Sequence, residues 1–224
     1  MRTILTISHT TATDAAVSNV SLAIANAMQL TVTTIEQSQL ATIDQIVDDT
    51  DAALLIVGLD TASAIQSYLN ALRSLRIPYL FVKSNHTAFA PKTILLPVTF
   101  LLEDREKGPY AASFATHFAA NIKMIKPNDY GSKAQNNIDT LSTLFTTRNA
   151  NYSIVPSKAD SIKVEHNALK FSVSPDTEML IIAASRDYGL DDILFGPHER
   201  KTIRQATMPV LVVNPRGDLY PLCD

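Results

Sequence analysis

The residues best suited to chemistry lie in the loop 183–198 and the helix predicted to follow it. Arg186 carries a guanidinium group that can bind a phosphate or a carboxylate through two parallel hydrogen bonds. Further basic side chains follow Gly196: His198, Arg200, Lys201 and Arg204. This pattern is compatible with an anion site. The interpretation that we favour is a solvated surface, with Arg186 paired to one of the nearby acids, Asp187, Asp191 or Asp192.

A second candidate group follows the first predicted strand. Ser8 and His9 would supply a nucleophile and a base at the rim where ligands of such folds gather. No third group that would orient the base is evident, so we favour a strand-end turn. His117 and His166 accompany apolar helical stripes, and we expect both to be packed and hydrogen-bonded. No two histidines are four residues apart, and Cys223 is the single cysteine, so we expect no catalytic residue and no metal site.

The segment Glu103–Pro109 is the densest charged run in the second half of the chain. It precedes a predicted helix, and we interpret it as a solvated loop and helix start. Over the whole chain of 224 residues, 19 basic side chains stand against 22 acidic ones, for a net charge of -3. There is no basic excess to bind a nucleic-acid backbone, and no apolar run is long enough to span a membrane. We therefore expect a cytoplasmic protein with neither kind of partner.

The elements that must position these residues repeat along the chain. Arg2-Thr3-Ile4-Leu5 resembles Lys92-Thr93-Ile94-Leu95, and each opens an apolar run typical of a buried strand. Two further pairs of strands match: residues 54–57 with 179–182, and residues 77–82 with 208–213, the last pair each containing an early proline. A strand also restarts at Tyr152–Val155. The second half therefore has an insertion between matching strands.

Between the strands the apolar period becomes helical. The predicted helix stripes are Val17, Val20, Ile24 and Ala27; Ile65, Tyr68, Leu72 and Leu75; Phe114, Phe118 and Ile122; Ile138, Leu141 and Phe145; and Ile162, His166, Leu169 and Val173. Continuous apolar strands that alternate with amphipathic helices predict an α/β fold with parallel sheet covered on both faces. Ligands of such sheets bind at the carboxyl ends of the strands. Residues 84–91 have little periodicity and are the predicted linker.

The segment from Met179 to Pro215 resembles the last strand–loop–helix–strand unit of the universal stress protein family. That family has an apolar strand, a G-x2-G-x9-G-[ST] loop and a proline before a final Val-rich strand; Gly189, Gly196 and Pro209 fall at corresponding places. Lys92–Val98 resembles the family's first strand. The resemblance implies two Rossmann-like units of the adenine nucleotide alpha hydrolase-like type in tandem: a shortened unit at 1–83, the linker at 84–91 and a fuller unit at 92–224.

The resemblance also implies where ATP would bind, and there the sequence departs from the family's pattern. Ala183 and Arg186 stand at the first two motif glycines, Gly196 is retained, and Pro197 replaces the hydroxyl residue. Thr99 stands where ATP-binding members carry an Asp that contacts the nucleoside. In the first half Gly58 matches a motif glycine, but the chain runs almost directly into a helix. We therefore predict a degraded nucleotide-binding motif in both halves.

The prediction for function is a non-enzymatic stress-response or regulatory protein that acts through a remodelled pocket or a protein surface, with no cofactor. The candidate pocket consists of Thr99, Ala183, Arg186, Gly189, Gly196, Pro197 and His198. The alternative is an adenine-nucleotide switch or weak ATPase that uses the loop 183–198. A third option, an adenylyl-transfer or flavoprotein relative, lacks a glycine after either first strand. We expect the two units to pair with each other through their last strands, with an unknown protein partner, and a homodimer is compatible.

Overall fold

The computed structural model describes residues 2–8, 10–184 and 198–215. Its first half contains, in order, β1 (Thr3–Ile7), α1 (Thr11–Met28), β2 (Thr31–Thr34), α2 (Ile43–Asp49), β3 (Ala52–Leu59), α3 (Ala64–Leu72) and β4 (Tyr79–Lys83). Its second half contains β5 (Thr93–Pro97), α4 (Lys107–Phe118), β6 (Asn121–Lys126), α5 (Lys133–Thr147), β7 (Tyr152–Pro156), α6 (Val164–Ala168), β8 (Glu178–Ala183), α7 (His198–Gln205) and β9 (Val210–Val213). Short 3₁₀ helices lie at Gln37–Thr42, Leu102–Glu106, Leu169–Phe171 and Pro175–Thr177.

The strands in the described part of the chain form one sheet in the order β2-β1-β3-β4-β9-β8-β5-β6-β7. Neighbours pair in parallel except β4 and β9, which are antiparallel, with Leu80 opposite Leu211. The carboxyl ends of β1 to β4 therefore lie at one edge of the sheet, and those of β5 to β9 lie at the opposite edge. The strand ends of the two halves therefore lie on opposite sides of the sheet.

Helices cover both faces of this sheet, which explains why its central strands are apolar without alternation. Helices α1, α4 and α5 bury their stripes on one face, and α2, α3, α6 and α7 bury theirs on the other. In β1, for example, Ile4 contacts the first core and Leu5 the second. The mixed α/β architecture predicted from the strand and helix periods is confirmed.

Local sequence sets the helix ends, and one predicted stripe crosses such an end. Thr10 caps α1, where its side chain accepts from the Thr13 amide. Helix α4 ends at Phe118 because Ala119 adopts a left-handed conformation with φ 51. Ile122 was predicted on that helix stripe but lies in β6, where it is fully buried. The four-residue spacing of apolar residues in α4 thus extends by coincidence to Ile122 of the next strand.

Two other stripes also differ from the prediction. Leu75 lies beyond α3, although it is buried. Around His166 the helix is only five residues long, and Ile162 and Val173 lie outside it with 67% and 81% exposure. That stripe is therefore not a core face, because its outer members point to solvent.

The connection between β4 and β5, residues 84–91, is irregular but firmly attached. The ring of His86 accepts a hydrogen bond from the Lys83 amide (3.0 Å) and lies 3.0 Å from the carbonyl oxygen of Thr207. Phe89 is buried, and its ring packs edge-on against Phe118 at a centroid distance of 5.3 Å. The segment thus joins the two halves through its side chains as well as its backbone.

Candidate functional site

The predicted pocket residues that the structure describes lie at the carboxyl edge of β5 and β8. These strands are hydrogen-bonded neighbours, with Leu95 opposite Leu180, so Thr99 after β5 and Ala183 at the end of β8 reach the same edge. His198 begins α7. Four other predicted pocket positions lie outside the described residues: Arg186, Gly189, Gly196 and Pro197. The site is therefore built below from Thr99, Ala183 and the side chains around them.

The backbone of Thr99 is fully engaged by side chains of the protein itself. Its amide donates to Asp104 Oδ2 at 2.5 Å, and its carbonyl accepts from Asn137 Nδ2 at 2.8 Å. Asn137 also donates to the Leu101 carbonyl and accepts from Arg105 Nε, each at 2.7 Å. Asp104 and Asn137 are buried. The turn after β5 is thus fixed by the 3₁₀ helix and by α5, and its strand-end amide already has an anionic partner.

Two members of the charged run, Asp104 and Lys107, form a buried ion pair, which corrects the prediction that the whole run is a solvated loop and helix start. Lys107 is 0% exposed and Asp104 is 1% exposed, with Nζ 2.6 Å from Asp104 Oδ1. The ammonium also donates to the Pro97 carbonyl at 2.6 Å. Burial of two charges is tolerated only when both are paired and hydrogen-bonded, and these contacts meet that condition. The pair therefore lies inside the fold, directly beneath the end of β5.

A second carboxylate, Glu165 of α6, reaches the same place from the opposite direction. Its Oε1 accepts from the Ala183 amide at 3.2 Å and lies 3.8 Å from Lys107 Nζ. Its side chain is 18% exposed. The pKa of Glu165 is raised to about 7, chiefly by burial and also by Asp104 and Glu199, while Lys107 and the Ala183 amide oppose the shift. This carboxyl therefore holds its proton to much higher pH than an ordinary glutamate.

Carboxyl groups predominate among the described side chains at this edge. Asp104 and Glu165 both lie within 4 Å of the Lys107 ammonium, and the buried Glu199 of α7 acts electrostatically on Glu165. The amides of Thr99 and Ala183 lie at the strand ends, where α/β folds bind their ligands, and both donate to these carboxyl groups. A phosphate entering here would have to displace a carboxyl group of the protein from its amide and would lie next to the others. The arrangement disfavours a phosphate at this position.

The equivalent edge of the first half consists of hydroxyls and carboxylates at the start of α1. Asp60 Oδ1 accepts from Thr10 Oγ1 at 2.6 Å and Thr13 Oγ1 at 2.7 Å, while Ser8 donates to Asp14. Thr10 caps the helix, which agrees with the strand-end turn predicted for this segment. His9 lies outside the described residues. Only four residues separate β3 from α3, so the connection after Gly58 is short, as the sequence predicts.

The remaining candidate residues are placed as follows. In α7, Lys201 and Arg204 are exposed and Arg200 is half-buried, as expected of a solvated basic face. His117 is exposed, so the expectation that it is packed is wrong, but its Nδ1 lies 2.8 Å from the Ser113 carbonyl. His166 Nδ1 is buried without a hydrogen-bond partner among the described residues, which corrects the second expectation.

Sequence reasoning missed the three residues that define this edge. Asp104 and Lys107 had a signal, because an acid and a base three residues apart directly after a buried strand can pair beneath the strand end. Glu165 had none, since its role depends on how α6 folds back over β5 and β8. Within the described residues no group of three His, Cys, Asp or Glu side chains can hold a metal ion. No described helix is long and apolar enough to cross a membrane.

Comparison with known proteins gives matches in structure alone. No family model matches the chain, and no curated protein matches it in sequence. A universal stress protein from Archaeoglobus fulgidus DSM 4304 superimposes with a TM-score of 0.60 at 10% identity, covering 84% of this chain and 73% of that one. A functionally unknown protein from Pseudomonas aeruginosa PAO1 gives 0.52 at 17% identity, covering 95% and 82%.

A third structure, a putative universal stress protein from Pseudomonas aeruginosa UCBPP-PA14, gives a TM-score of 0.51 at 16% identity, again covering 95% of this chain and 82% of that one. At these identities the similarity concerns the fold. The chain has a universal-stress-protein-like α/β fold.

Proposed function

We propose that the chain is a non-enzymatic stress-response or regulatory protein of the universal stress protein type that does not bind ATP in the usual way. The observation that carries this proposal is the occupation of the strand-end amides. Thr99 and Ala183 donate to Asp104 and Glu165, two carboxylates of the protein itself. Of the residues that depart from the family's motif, Thr99 and Ala183 are described by the structure, and both lie at this edge.

The proposal includes a tandem organisation of two such units. Its support is the antiparallel pairing of β4 with β9, since each is the last strand that the structure describes in its half. In this arrangement the chain supplies within itself the contact that two separate units would make. We propose that the protein acts in the cytoplasm by binding a protein partner or another metabolite. A further homodimer remains compatible with it.

The alternative is a nucleotide switch or weak ATPase built on the loop 183–198. Gly189 and Gly196, which lie outside the described residues, favour it by sequence alone. Unlike the main proposal, it requires that added nucleotide stabilise the folded chain. A ligand that binds only the folded state at one hundred times its dissociation constant stabilises that state by about 2.7 kcal/mol. For a chain of this size that is roughly 5 to 10 °C in the unfolding midpoint.

The test is calorimetric and thermal-shift titration of the full chain with ATP, ADP and AMP, each with and without magnesium. We expect no saturable heat and no rise in midpoint at millimolar nucleotide. A saturable signal at micromolar ATP would reject the proposal and establish the switch.

A double variant tests whether charge, rather than the shape of the site, prevents the binding of phosphate. Asp104→Asn with Glu165→Gln removes both carboxyl groups, the sources of negative charge here, and leaves oxygen acceptors for both strand-end amides. If charge excludes phosphate, this double variant binds inorganic phosphate or ATP more tightly than the parent. The control is Asp48→Asn, an exposed carboxylate on α2, which should leave binding unchanged.

A further inference from the structure

The segment 161–172 crosses the carboxyl edge of the sheet between β7 and β8, and we call it the strap. It is tethered at both ends. The Ser161 amide donates to Asp129 at 2.8 Å, and the Val173 amide just beyond the strap donates to Glu178 at 3.0 Å. Between the tethers, Val164 and Ala168 are fully buried and anchor α6 on the sheet. Glu165, the residue after Val164, makes the polar contacts of α6 with β8 and with Lys107.

Glu165 lies near charged or polar groups from four neighbouring elements. These are Lys107 from α4, Asp104 from the 3₁₀ helix before it, Glu199 from α7 and the Ala183 amide from β8. Lys123 of β6 donates to the strap's Phe171 carbonyl, and the cations Lys170 and Lys201 lie near His166 on the outer side. Among these groups, Lys107 is the cation nearest to the Glu165 carboxyl.

That cation is already committed elsewhere. The ammonium of Lys107 donates at 2.6 Å to both Asp104 and the Pro97 carbonyl, so Glu165 is left at 3.8 Å, beyond hydrogen-bond distance. Asp104 and Glu165 thus share the charge of one ammonium, with the shorter contact made by Asp104, and Glu199 of α7 adds a further acidic neighbour to Glu165. The cluster accommodates a neutral Glu165 carboxyl more easily than an anionic one.

From this geometry we propose that the strap is a proton-controlled cover: it stays closed over β5 and β8 while Glu165 holds a proton, and it opens more often once that proton passes to solvent. Opening frees the Ala183 amide and uncovers the Lys107 side of the cluster. The device requires neither a nucleotide nor a partner, so it stands apart from the proposed function.

The expected size of the effect follows from proton linkage. The pKa of Glu165 is about 7 with the strap closed, against an ordinary value of 4.5. The closed state therefore binds the proton more tightly; its advantage is complete below 4.5 and is lost as the pH rises through about 7. If the open carboxyl has its ordinary pKa, the opening constant rises several tens-fold between about pH 5 and about pH 8.

The experiment is hydrogen exchange of the full-length chain across this range, read by mass spectrometry and corrected for the intrinsic pH dependence of exchange. Peptides within 161–172 report the strap, and peptides from β5 report the sheet. Three proteins are compared: the parent, Glu165→Gln as a permanently neutral side chain, and Asp48→Asn as a matched control that loses an exposed carboxylate.

We expect the strap amides of the parent and the control to lose protection several tens-fold toward high pH while β5 does not change. Glu165→Gln should keep the strap protected throughout. The proposal is overturned by any of three results: a change below about threefold in the parent, an equal pH dependence in Glu165→Gln, or a parallel loss in β5, which would mean that the whole domain responds.

Discussion

Replacement of Lys107 by methionine tests whether the buried cluster stabilises the fold as described. Methionine is apolar and of similar length, so the variant removes the charge and little volume. It leaves the Asp104 carboxylate at 1% exposure without its counterion, and it deprives the Pro97 carbonyl of a donor at 2.6 Å. Loss of one partner of a buried ion pair costs about 3–5 kcal/mol, and we expect a decrease of that size in the free energy of unfolding.

The assay is urea denaturation at neutral pH, followed by two independent probes. For a chain of this length the expected loss corresponds to a drop of roughly 2–4 °C in the thermal midpoint per kcal/mol. The control is Lys158→Met, an exposed lysine after β7, which should change stability by less than about 0.5 kcal/mol. The companion is Asp104→Asn with Lys107→Met, which should be less destabilised than Lys107→Met alone because no charge is left unpaired.

The two possible failures of this experiment have different meanings. If Lys107→Met costs less than about 1 kcal/mol, the ammonium is not buried and paired as the structure has it. If the double variant is as unstable as the single one, the stranded carboxylate is not the cause of the loss. Either result would refute the reasoning.

Three other substitutions test contacts outside the cluster. Burial lowers the pKa of His86, so the contribution of this residue to stability is complete above about pH 6.5 and is lost as the pH falls. His86→Ala should therefore lower the free energy of unfolding by about 1–3 kcal/mol at pH 8 and by less at pH 5. A loss that is independent of pH in urea titrations would contradict this. Asn214→Ala removes two hydrogen bonds to carbonyls at the end of α3 (2.7 and 2.9 Å) and should cost about 1–3 kcal/mol, whereas an unchanged urea midpoint would show that water replaces them. Gly58→Ala places a Cβ 3.1 Å from Thr13 Cβ in a packed contact between β3 and α1, and it should lower the free energy of unfolding by about 1–3 kcal/mol. A rise in the free energy of unfolding would mean that α1 shifts easily to make room.

The sequence was most informative where strands are buried on both faces. The apolar runs around Ile4, Leu55, Ile94 and Leu211 predict central strands correctly because each residue of such a strand contacts one of two cores. The edge strand β2 escaped prediction because its four residues, Thr31–Thr34, are all exposed and show no apolar pattern. Strand β6 was not predicted as a separate strand because Lys123 and Lys126 interrupt its apolar residues and because it directly follows helix α4.

For the candidate site, the sequence indicates which strand ends lie together but not which side chains fill the space between them. Strand-end placement of Thr99 and Ala183 follows from the parallel order of β5 and β8, which the repeat pattern implies. The contacts that fill the site depend on side chains from distant segments, such as Asn137 of α5 and Glu165 of α6. Charges are ordinarily solvated, so the spacing of Asp104 and Lys107 indicates that they can pair but not that Lys107 is fully buried.

The most direct test of the central claim is to observe the two strand-end amides while nucleotide is added. The measurement is a titration of isotope-labelled protein with magnesium ATP, following the backbone amide resonances of Thr99 and Ala183. Because these amides already donate to Asp104 and Glu165, we predict no saturable shift of either signal at millimolar nucleotide. Saturation of both signals with one micromolar dissociation constant would mean that nucleotide displaces the internal carboxylates, and it would contradict the account.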